Sequence, residues 1–152
     1  MKGEGIMAQV VKLKENGLKK LHNMNPAFVS YNVEMTEVTG GTFWKAYTQG
    51  QIDGVEQVPP PDFKQGLAAM HQWYDPIDTT NPRLIKLAKK LGPVWVRVSG
   101  TWATKTYYDF EDTGVVPEGY QNRLTKEQWV NLLHFVKEIG GKLLVSFANC
   151  EG

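Results

Sequence analysis

The chain of 152 residues carries 17 Lys and Arg against 16 Asp and Glu, a formal net charge of +1, with 41% apolar and 22% charged residues. That balance offers no strong field for a nucleic acid or an anionic membrane, and it excludes both a disordered polar chain and a fibrous repeat. One hydrophobic core fits this length; two do not. A single cysteine, Cys150, excludes an internal disulfide framework, and His22, His71 and His134 match no zinc-ligand spacing, so no metal or other cofactor is expected. No apolar run approaches the roughly 20 residues that cross a bilayer, and the opening MKGEGIMAQVVK has no signal-peptide core; the compartment stays open.

In chain order, Asn16-Gly17 between VVKLK and LKKLH is a hairpin-turn signal, with a basic helix as the competing reading. The lysines from Lys12 to Lys20 are read as solvated surface, because basic blocks that bind nucleic acid bring aromatic or arginine company. Residues 1–25 are therefore set apart as an N-terminal segment, and a domain is expected from residue 26 to 152. After Pro26, the aromatic and β-branched run AFVSYNVEM, residues 27 to 35, predicts a strand. Residues 36 to 80 hold Gly40-Gly41, the patch Phe43-Trp44-Lys45-Ala46-Tyr47 and the run Pro59-Pro60-Pro61, which together predict a long excursion with a short helix around Phe63 to Trp73. Excursions of that length inside a domain usually serve a site.

Asn81-Pro82 supplies a cap and a first-turn proline, and Leu84, Leu87, Ala88 and Leu91 recur at helical spacing, so a helix is predicted over 82 to 91. Gly92-Pro93 ends it, and VWVRVSG follows as a strand. Beyond a loop, Thr125 and Gln128 form a capping box for a helix running to Ile139, with Trp129, Leu132, Leu133 and Val136 on its apolar face. KLLVSFAN, residues 142 to 149, is the third predicted strand. Strands alternating with helices imply an α/β fold with a parallel sheet.

Ligands of parallel α/β folds gather beyond the carboxyl ends of the strands. Those ends are Glu34, then Ser99-Gly100-Thr101, then Asn149-Cys150. Alternation places Ser30, Asn32 and Glu34 on one face of the first strand and Arg97, Ser99 and Thr101 on the matching face of the second, opposite Val94, Val96 and Val98. An Arg97 buried on that face needs an acidic partner, and Glu34 and Arg97 could serve only to neutralise each other. Asn149 could be a plain strand-end cap, and Trp102 could be core. As binding groups, carboxylates and amides suit sugar hydroxyls while aromatic rings suit the C–H faces of a pyranose; Trp102, Tyr107, Tyr108, Trp44 and Tyr47 are the candidate platforms.

Three segments resemble the amino-terminal part of the heparanase-like glycoside hydrolases, the family containing heparanase and microbial β-glucuronidases. They are FVSYNVEMTEVTGGTFWKAY, NPRLIKLAKKLGPVWVRVSGTWATKTYYD and WVNLLHFVKEIGGKLLVSFAN, spanning roughly residues 26 to 149. The resemblance implies the first three βα units of a (β/α)8 barrel, with residues 9 to 14 as a strand of an accessory β-sandwich. It implies retaining hydrolysis of O-glycosyl bonds, with β-linked glucuronides as the substrate class and a carbohydrate as the partner. Glu34 matches the acid that holds glycone hydroxyls, Thr101, after Ser99-Gly100, matches a substrate-contacting turn, and Asn149 falls at the third strand end; Ser99, Gly100 and the platform candidate Trp102 complete the expected substrate-binding set. The turn reads Ser-Gly-Thr where heparanase has Gly-Gly-Thr, which favours the microbial branch. The family's two catalytic glutamates have no counterpart here: its acid sits after a fourth strand, while Asp109, Glu111 and Asp112 read as solvated loop charge. The chain is thus expected to be a fragment holding binding residues, without the remainder of the barrel and sandwich. A non-catalytic carbohydrate-binding or half-barrel association module is the alternative.

Overall fold

A computed structural model describes Lys12 and residues 17–57 and 70–149 of the chain. Its elements run β1 (Ser30–Glu34), α1 (Met35–Thr39), β2 (Gly41–Trp44), α2 (Gln49–Ile52), β3 (His71–Tyr74), α3 (Pro82–Ala88), β4 (Trp95–Ser99), β5 (Thr106–Asp109), β6 (Asn122–Thr125), α4 (Lys126–Glu138) and β7 (Lys142–Val145). Short 3-10 helices cover Pro26–Phe28, Lys89–Leu91 and Thr101–Lys105. The Asn16-Gly17 turn and the strand over 9 to 14 fall outside the described residues, apart from Lys12 and Gly17, as do the triple proline and Cys150.

The three expected strands pair in one parallel sheet of order β1-β4-β7. Its register sets Ser30 beside Trp95, Asn32 beside Arg97 and Glu34 beside Ser99, and Trp95 beside Lys142. The fold is α/β with helices joining parallel strands. Val94, Val96 and Val98 are fully buried beneath Leu132, Phe135, Val136 and Ile139, because alternating β-branched residues meet the apolar stripe of α4. Leu133 departs from the expected stripe and stands 41% exposed. Phe135 takes its place, since the face that reaches the sheet runs through positions 132, 135, 136 and 139. The capping box of α4 forms as expected: Thr125 Oγ1 accepts the Gln128 N–H at 3.2 Å and Gln128 Oε1 accepts the Thr125 N–H at 3.0 Å. Asn81 Oδ1 caps α3 through the Arg83 N–H at 2.9 Å. That helix is shorter than expected and tightens into a 3-10 turn before Gly92. Leu87 and Leu91 remain about half exposed.

The long excursion after β1 is more ordered than a loop. Met35–Thr39 is a helix whose exit turns at Gly40 (φ 73°), and the chain returns as an antiparallel hairpin of β2 and β3. The helix expected around Phe63 to Trp73 is corrected at its far end: His71–Tyr74 is strand β3, because its backbone pairs with Gly41–Trp44. The rest of that segment lies outside the described residues. The loop expected after β4 holds a second parallel pair, β5 with β6.

Candidate functional site

Glu34, the last residue of β1, is also the N-cap of α1, and the Oε2 of Glu37 accepts its backbone N–H at 2.8 Å. That contact fixes where the strand stops and aims the Glu34 side chain across to β4. There Gly100 turns with φ 102°, a conformation L side chains rarely adopt. A Cβ built on Gly100 would land on the Glu34 carboxyl group itself. The glycine is thus the floor on which the carboxylate rests. Glu34 Oε1 accepts the Trp102 N–H at 3.4 Å from the 3-10 helix beyond. Burial pushes the Glu34 carboxyl above its ordinary value; the N–H groups of Trp102 and Met35 pull it back, and Glu37 pushes with burial.

Arg97 is exposed, and its Nη1 donates to Asn32 Oδ1 at 2.7 Å. The expectation of a buried arginine needing an acidic partner is corrected: on this open face an amide oxygen suffices, and Glu34 feels Arg97 only as the weakest of its influences. Ser99 is 2% exposed beside Glu34 in the sheet register, whereas Thr101 is exposed at the start of the 3-10 helix. Trp102 is half-buried and packs against the core. Asn149 does not end a strand. β7 stops at Val145, and residues 146–149 run past the 3-10 helix, where the Asn149 N–H donates to the Thr104 carbonyl at 3.2 Å. All six expected residues still lie on segments at the carboxyl end of one parallel sheet.

The other candidates part company. Tyr107 pairs edge-on with Tyr120, and Tyr108 joins Phe110, Trp129 and Phe147 in an aromatic cluster. Trp44 lies edge-on to His71 on the hairpin. Asp109 overturns the expectation of solvated charge. It is 1% exposed at the end of β5, where burial would raise its pKa, but the N–H groups of Thr113 and Gly114, the Thr113 hydroxyl and the Arg123 guanidinium hold it at about 2. It ties down a loop. Among the described residues no cluster of His, Cys, Asp and Glu could hold a metal ion.

Glu37 was not singled out from the sequence. The three-residue spacing from Glu34 to Glu37 is the signal, an acidic version of a capping box. No family model matches the chain, and no curated protein matches it.

Proposed function

We propose that this chain forms part of the sugar-binding wall of a glycoside hydrolase of the heparanase-like kind, which cleaves O-glycosyl bonds with β-linked glucuronides as substrates. On this reading β1, β4 and β7 are the first three strands of a (β/α)8 barrel and Glu34 accepts hydrogen bonds from the glycone hydroxyls. The observation that carries it is the seat of Glu34: a carboxylate at the carboxyl end of one parallel strand, held over the glycine turn that follows the next. The bare face of the sheet supports the barrel. Ser30, Asn32, Trp95, Arg97, Lys142 and Leu144 are all exposed there, and parallel sheets are ordinarily covered on both faces.

The chain's role is binding rather than bond cleavage. A retaining mechanism needs two carboxyl groups ~5 Å apart across the scissile bond. Glu37, the neighbour of Glu34, spends its Oε2 on the Glu34 backbone N–H and so stands on the α1 cap rather than across a bond from Glu34, and Asp109 is buried against Arg123. The test is an amide-shift titration of the 152-residue chain with methyl β-D-glucuronide, alongside an aryl glucuronide hydrolysis assay. Shifts centred on Glu34, Gly100 and Trp102 without turnover are expected. Turnover by the chain alone, or shifts confined to other elements, would contradict the assignment.

A further inference from the structure

A separate hollow of about 310 Å³ lies between the β2–β3 hairpin and α1, bordered by Thr36, Glu37, Phe43, Trp44, Tyr74 and Asp75. Its size falls at the lower end of ligand sites. The hairpin register makes one wall aromatic. Gly41 stands opposite Tyr74 and Phe43 opposite Gln72, so Phe43 and Tyr74 share a face. The Tyr74 hydroxyl donates to the Trp44 carbonyl at 2.7 Å, which fixes its ring. Gly41 brings that face onto α1, since a Cβ there would stand 3.0 Å from the Thr36 Cγ2.

Two carboxylates border the same hollow. Glu37 uses Oε2 for the Glu34 N–H, and Asp75 uses Oδ1 for the Trp73 indole N–H at 3.3 Å. Among the described residues the second oxygen of each has no hydrogen-bond donor, and no Lys, Arg or His lines the hollow. A ligand for this place needs an apolar ring face for Phe43 and Tyr74, hydroxyl donors for the two carboxylates, and no negative charge of its own.

We propose that this hollow is a subsite for a neutral pyranose ring. The inference takes its ligand class from the carbohydrate reading of the Glu34 site and extends it one turn along α1 to a place of opposite selectivity, closed to a uronate by Glu37 and Asp75. Both rings lie on one wall. A cage for an organic cation would instead set rings around it on several sides.

Amide-shift titrations of the chain with methyl β-D-glucoside, methyl β-D-glucuronide and tetramethylammonium test this. The glucoside is expected to move the amides of Glu37, Phe43 and Asp75, in wild type and equally in Glu34→Gln, while the glucuronide leaves those amides still. Phe43→Ala should abolish the glucoside shifts. Asp75→Asn, which keeps the hairpin intact, should weaken binding by roughly tenfold, as the loss of a hydrogen bond to a charged group does. Unmoved amides with the glucoside, movement with tetramethylammonium in its place, or an unchanged affinity in Asp75→Asn would overturn the proposal. Loss of glucuronide binding at Glu34 with glucoside binding retained would count against the Glu34 reading and support this one.

Discussion

Gly100 governs what Glu34 can do. The glycine makes no side-chain contact, yet its missing Cβ is the space the Glu34 carboxyl group occupies, and its positive φ would strain any replacement. Gly100→Ala is therefore expected to push the carboxylate off the Trp102 N–H and destabilise the turn by about 1–3 kcal/mol, the range for a strained backbone position. A denaturant titration reads the stability, and the Trp102 amide shift reads the hydrogen bond; an unmoved amide would show that the carboxylate does not rest there. The importance of Gly100 was legible in the sequence as a strand-ending glycine, but its reason was not. The resemblance marks Ser99-Gly100-Thr101 as a substrate-contacting turn, but the space over Gly100 belongs to a residue 66 positions earlier, a contact that only the register of β1 on β4 creates.

At the scale of elements, the loop after β5 is held by one buried carboxylate. Asp109 has its folded pKa at about 2, below the ordinary 3.8, so it contributes stability that is present above about pH 4 and is lost as pH falls through 2. Asp109→Asn should remove that part of the acid dependence and flatten the stability profile between pH 4 and 2, as followed by urea midpoints across the range. A profile as steep as that of wild type would take Asp109 out of the acid response. Helix α4, by contrast, was legible almost to the residue, because its cap, its stripe and its glycine stop are all local in sequence. Within the excursion over 36 to 80, α1 and the β2–β3 hairpin go unannounced by the sequence because α1 has five residues and each hairpin strand has four. Elements that short carry little periodicity, and their order comes from pairing with distant partners. The same holds for β5 and β6, whose pairing spans the Asp109 loop.

For the whole molecule, the decisive feature is a parallel sheet with one face covered and the other, among the described residues, bare. Alternation from Val94 through β4 separates the three valines packed on α4 from Trp95 and Arg97, which stand in the open with Leu144 at 51% exposure. The parallel topology is legible in the alternation of strands and helices, while the sequential strand order is what the barrel resemblance implies. The bare face is not legible there, since the same pattern serves a sheet sandwiched between helix layers. Exposed apolar area of this kind promotes association. The chain is expected to self-associate with rising concentration in size exclusion, and Leu144→Lys to shift it toward monomer. A monodisperse monomer at all concentrations would favour the self-contained binding-module reading over the barrel. Sugar binding by this chain turns on the Glu34 carboxylate, and the measurement that decides it is the affinity for methyl β-D-glucuronide in wild type and Glu34→Gln at pH 7. Burial raises this acid's pKa, so its folding contribution is full below pH 4.5 and falls as pH rises through the higher folded value; the glutamine variant should fold at least as stably at pH 7. It should bind the sugar roughly 10- to 150-fold more weakly, the loss of one charged hydrogen bond. Equal affinity in the two proteins would show that the Glu34 carboxylate holds no ligand.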